Sequence, residues 1–274
     1  MRIAAILALA TALGLTATTF PETADADDTP AAIPIAEWPL EKVSRIGREI
    51  YRYDRAAWLA SDVLMAAPDK SAFSALRGWI VVPEGPALKV RFIAQGEGGV
   101  YRPGWDVLVD ERGAGPMIAA PAEAPLPPEQ LAMFKARQTA AANIGRLRCS
   151  RNLNTVVIDD PDSDGWLVWL LTSTDQAGVI PVGGHYRFTI SPDGASVVHR
   201  DMLTNSCFNA QAPERPGPGA PAALFFTQIV SKGPVETHVF LSILNRIPIY
   251  IGAGQQIFAV EGDRISDVTS EMKN

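Results

Sequence analysis

Residues 166–171 read WLVWLL, with no polar side chain on either face. Successive side chains of a strand point to opposite faces, so a strand made of this run needs an apolar layer on each side of it. The run is too short to span a bilayer. Any fold that accepts it must therefore supply two covering layers for one central strand.

Other short runs rich in β-branched and aromatic residues read as strands: 79–82, 89–94, 105–109, 155–158, 186–190, 196–199, 223–230, 237–244, 248–251 and 257–260. Tyr186, Phe188 and Ile190 alternate with His185, Arg187 and Thr189, which suits a strand with one wet face. Gly and Pro number 22 each, so the chain turns often. The runs fall into three groups that resemble one another. Each opens with a β-branched pair and a polar turn: Val81-Val82 before PEGP, Val157-Ile158 before 159–165, and Ile229-Val230 before SKGP. Each closes on an acidic, Gly-containing turn: Asp110-Glu111-Arg112-Gly113, Pro192-Asp193-Gly194 and Glu261-Gly262-Asp263. The opening turns recur about every 75 residues, the mark of repeated three-stranded meanders.

Two segments have helical character. Val43, Ile46, Ile50, Tyr53 and Ala57 recur at helical spacing, with Pro39 expected at the first helical position and Gly47 as a weak point. Residues 128–144 are rich in good helix formers. The Pro/Ala-rich segment 113–127 and the APERPGPGAP segment 212–221 read as surface connectors. The predicted fold is α+β: an antiparallel β-sheet system of repeated meander-like units, two packed helices and one disulfide, in a single domain over 40–274.

The N-terminus points to export. Arg2 precedes about 13 apolar or small residues, a length that suits a secretory leader. Ala24-Asp25-Ala26 supplies a cleavage site, with a cut near Ala17 or an uncleaved anchor as alternatives. A signal peptide over 1–26 and a tether over 27–39 follow, and they imply a periplasmic or secreted protein. No later run has the length of a membrane span. In an oxidising compartment the two cysteines, Cys149 and Cys207, pair. The alternative is a reactive thiol at Cys149, next to Arg148.

Charge narrows the partners. The chain holds 24 Lys+Arg and 30 Asp+Glu, and no basic run tracks phosphates, so nucleic acid is not expected. Asp160, Asp162 and Asp164, followed by Gly165, match the first half of a calcium loop, but Leu171 stands where a bidentate Glu belongs. A hairpin turn is the preferred explanation, and calcium is kept as the one candidate cofactor. A three-residue corner at 192–194 would set Arg187 opposite His199 and His185 opposite Asp201, a polar cross-strand cluster in which Arg187 opposes metal binding. Glu236 and His238 share a face if 237–244 is a strand, and with Ser242 or Ser231 they form the one hydrolase candidate. The sequence contains no GxSxG elbow, and Gly96-Glu97-Gly98-Gly99 precedes no helix that would bind phosphate. The six tryptophans belong mainly to core packing and sheet edges. Acidic and imidazole side chains are expected at corners and on wet faces. The functional expectation is an exported, non-catalytic protein that binds a protein or envelope (cell-wall) component. The alternatives are an extracytoplasmic hydrolase with dispersed residues and a calcium-stabilised β-rich domain.

Overall fold

In the computed structural model, which describes residues 33–121, 125–212 and 223–272, an extended segment at 33–39 leads into helix α1 (Leu40–Ala66). The apolar face expected from spacing is the buried one: Val43, Ile46, Ile50, Tyr53 and Ala57 are all covered. Pro39 lies just outside the helix, one position earlier than expected. Gly47 costs helix propensity but permits close packing. A Cβ there would lie 2.4 Å from Cβ of Val239 in a later helix.

The first sheet is an antiparallel meander of β1 (Leu76–Glu84), β2 (Ala87–Gln95), β3 (Tyr101–Asp110) and β4 (Gly113–Ala119). The fourth strand corrects the reading of 113–127 as a bare connector. Proline is tolerated in an edge strand, and Pro116 falls where the β3–β4 register slips. The turn before it is closed by Asp110 Oδ1, which accepts from the Arg112 and Gly113 amides at 2.8 and 3.2 Å.

Helix α2 (Pro128–Ala142) follows, with proline in its first turn as the sequence suggested. Next come β5 (Leu153–Asp159), β6 (Trp166–Thr172), β7 (Val179–Pro181), β8 (Tyr186–Ile190), β9 (Val197–Met202) and β10 (Asn209–Gln211). The second sheet has the order β5-β6-β8-β9, all antiparallel, while β7 and β10 form a small ribbon. Every residue of β6 is buried. Trp166, Val168 and Leu170 enter a core with Phe134 and Met133 of α2, and Leu167, Trp169 and Leu171 enter a larger core with α1. The two covering layers demanded by WLVWLL are both present.

The third sheet departs from the expected repeat. It holds β11 (Leu224–Thr227), helix α3 (Glu236–Asn245), β12 (Ile249–Ala253), β13 (Gln256–Glu261) and β14 (Arg264–Asp267), and one-turn α4 (Thr269–Met272) ends the described chain. β11 pairs in parallel with β12, and α3 makes the crossover between them. The run at 237–244, expected as a strand, is therefore helical. An apolar run of this length fits a buried helix as well as a strand, and the parallel pairing requires a crossover. The described residues thus hold four α-helices rather than two. The closing turns do join adjacent strands in all three groups, but the opening turn is a hairpin only in the first two. The coarse architecture is α+β with antiparallel sheets and one disulfide. No helix among the described residues is long and apolar enough to cross a membrane. The leader at 1–26 and most of the 212–221 loop lie outside the described residues.

Candidate functional site

The side chains expected on wet surfaces are largely inside. Arg187 on β8 is buried and pairs across the sheet with Asp201 of β9, not with His199. The β8–β9 register is irregular between Thr189 and Ile190, so the assumed three-residue corner set the pairing off by two. Arg187 Nε and Nη2 donate to Asp201 Oδ2 at 3.0 and 2.7 Å, and Nη1 donates to Glu236 Oε2 at 3.1 Å. Glu236, fully buried in the first turn of α3, also accepts from Trp169 Nε1 at 2.8 Å. The N-terminal segment straps this cluster. Arg187 Nη2 donates to the Ala36 carbonyl at 2.7 Å, and the Trp38 ring lies 3.8 Å from the guanidinium. The half-exposed His199 places Nε2 2.8 Å from Asp201 Oδ1. Arg187, His199 and Asp201 thus do meet, whereas His185 stands apart from them.

His185 is locked in a neutral form. Its Nδ1 accepts from the Thr172 amide and its Nε2 donates to the Pro181 carbonyl, both at 3.1 Å, and burial lowers its pKa to about 4. His238 is likewise buried, and its pKa falls to about 3, first through burial and then through the nearby His185. It caps α3: His238 Nδ1 accepts from the Val235 amide while its own amide donates to the Val235 carbonyl. On this helix His238 and Glu236 no longer share a face. Ser242 Oγ donates to the Ile247 carbonyl at 2.7 Å and accepts from the Gly262 amide at 2.9 Å. Ser231 Oγ donates to the Gly233 carbonyl at 2.7 Å.

The Asp160–Asp164 region closes the β5–β6 hairpin. Asp160 accepts from the Asp162 amide and the Ser163 hydroxyl. Asp162 turns away to bind Lys42, whose ammonium holds its carboxyl below the ordinary range. Among the described residues no three His, Cys, Asp or Glu side chains are grouped to hold a metal.

Cys149 and Cys207 form a disulfide with Cα atoms 5.3 Å apart, tying the loop after α2 to the one after β9. Clefts lie on both sides of the loop at 149–152. One, of about 370 Å³, is polar and includes Thr174, Asp175 and Asn209 in its wall. The other, of about 300 Å³, lies between α2 and β5 and is lined by Arg137, Arg148 and Arg151 with no carboxylate in its wall.

Sequence reasoning missed Arg137. It follows Met133 and precedes Ala140 on the buried side of α2, so helical spacing alone put a cation among core positions. Its guanidinium lies 4.3 Å from the Trp79 ring. Arg137 Nε and Trp79 Nε1 are both buried, and neither has a hydrogen-bond partner among the described residues. Burial lowers the Arg137 pKa to about 10. Gly78, at φ +144°, leaves the room: a Cβ there would stand 2.6 Å from Arg137 Nη1.

No family model, curated protein or solved structure matches this chain.

Proposed function

We propose that this chain works outside the cytoplasm as a non-catalytic protein that binds a protein or envelope component. The observation that carries this reading is the internal engagement of the groups with chemical potential. His185, His238, Glu236, Asp201 and Ser242 are buried, and each is bonded to a structural partner. A general acid or nucleophile needs access to substrate, and these groups face the interior. The apolar, singly charged start of the chain and the formed disulfide support export.

Cell fractionation of the tagged protein, with mass measurement of the recovered chain, tests location. An extracytoplasmic fraction holding a chain shortened near Ala26 or Ala17 is expected; a full-length cytosolic chain defeats the export reading. A screen of the mature protein against ester, peptide and glycan substrates tests the binding role. Turnover that disappears in His238→Ala, with the fold intact, would establish the hydrolase reading instead.

A further inference from the structure

We propose that the cleft lined by Arg137, Arg148 and Arg151 binds a phosphate-type oxyanion carried on a small apolar group. This deepens the binding-protein reading and rests on it.

Arg137 is half-buried, and even a partly desolvated cation ordinarily has a counter-charge beside it. Arg137 has no such pair: no carboxylate lines its cleft, and its Nε is buried without a partner among the described residues. Gly78, whose φ of +144° favours glycine, leaves open the space beside the guanidinium. The Trp79 ring supports the guanidinium from one side, outside the cleft wall. A dianion in the cleft would supply the counter-charge that its wall lacks among the described residues.

The neighbouring cations are arranged differently. Arg148 spends Nε and Nη2 on the carbonyls of Ser150 and Arg151, which fixes the loop that carries Arg151. Arg151 is exposed and lines both clefts. Planar guanidinium forks match the oxygens of phosphate, and several around one group favour a dianion over a carboxylate. Ile144, Leu153 and Leu170 form an apolar wall, which suits an organic phosphate better than the bare ion. The carbonyl end of α2 is partly covered, since Thr139 O accepts from both the amide and the side chain of Asn143, and this limits its repulsion of an anion.

Calorimetric titration of the mature, oxidised protein with phenyl phosphate, inorganic phosphate and benzoate tests the proposal. Phenyl phosphate is expected to bind in the millimolar range or tighter, and about tenfold more tightly than either of the others. Arg137→Met should abolish binding without lowering the melting temperature, because it removes a half-buried charge that has no counter-charge in the cleft wall. Arg137→Lys, which keeps charge but loses the fork, should bind with intermediate affinity. Absence of heat with phenyl phosphate up to about 10 mM overturns the site. Equal affinity in Arg137→Met does so too, and equal affinity for benzoate overturns the phosphate class. Release of phenol from phenyl phosphate would leave the site standing and defeat the non-catalytic reading, so the two failures are distinguishable.

Discussion

Two arginines, Arg187 buried and Arg137 half-buried, meet opposite conditions in this protein. Arg187 meets Asp201, Glu236, the Ala36 carbonyl and the Trp38 ring, with its donors occupied. Arg137 meets Trp79 alone, and its Nε has no partner among the described residues. The first is a fastener that joins β8, β9, α3 and the N-terminal strap. The second is an open valence at the wall of a cleft. Burial is therefore no guide to the role of a charged side chain until its partners are counted.

The sharpest way to break this contrast is to truncate both. Arg187→Met strands two buried carboxylates and should destabilise the protein by about 3–5 kcal/mol, read from urea denaturation. The same change at Arg137 should leave the denaturation midpoint unchanged or raised. Equal losses at the two sites would erase the distinction.

Opening the disulfide comes next. Cys149→Ser with Cys207→Ser frees a loop of 58 residues and should cost about 4 kcal/mol on the entropic model. Because Cys149 adjoins Arg148 and Ser150, the double variant should also weaken phenyl phosphate binding. The Trp169 environment beside Arg187 should stay native-like, which tryptophan fluorescence can follow. Unchanged phosphate affinity would show that the loop does not position the cleft.

The two buried histidines show a third way to enclose nitrogen, as a neutral ring. Their pKa values, about 4 for His185 and about 3 for His238, lie below the 6.5 of a free imidazole. Between those limits the unfolded chain binds more protons than the native one. Their contribution is thus complete above pH 6.5 and is lost as the pH falls through 4 and 3, by about 3 kcal/mol for His185 and about 5 kcal/mol for His238. Asp54 opposes this. Burial raises its pKa from 3.8 to about 6, so its contribution is present below 3.8 and lost as the pH rises through 6. Urea midpoints should fall between pH 6.5 and 4, and Asp54→Asn should steepen the fall. A flat profile in both proteins would mean that the imidazoles are not held neutral.

The smallest effect belongs to the surface. Asp162→Ala removes a partner of Lys42, but the carboxylate is exposed and Lys42 also rests 3.8 Å from the Trp38 ring. Its denaturation midpoint should match that of the parent, and a large drop would show that the strap at 33–39 depends on this pair.

Much of the fold was legible because the signals were local. WLVWLL required two covering layers, the 3.6-residue spacing of α1 marked its buried face, and an even cysteine count indicated the disulfide. The closing turns at 110–113, 192–194 and 261–263 carried their own Gly and Asp chemistry. These features follow from residue type and near neighbours, which the chain carries before it folds.

Other features were settled by residues far apart in sequence. The run at 237–244 became a helix because β11 and β12 align in parallel and Gly47 of α1 admits Val239. Pro116 could enter β4 because that strand lies at an edge. Arg187 found Asp201 through an irregular register, and Glu236 reached it from another sheet's crossover. Arg137 has no carboxylate in the wall of its cleft among the described residues. The electrostatics of a buried charge depend on what the folded chain brings within a few ångströms, and local sequence does not encode that proximity.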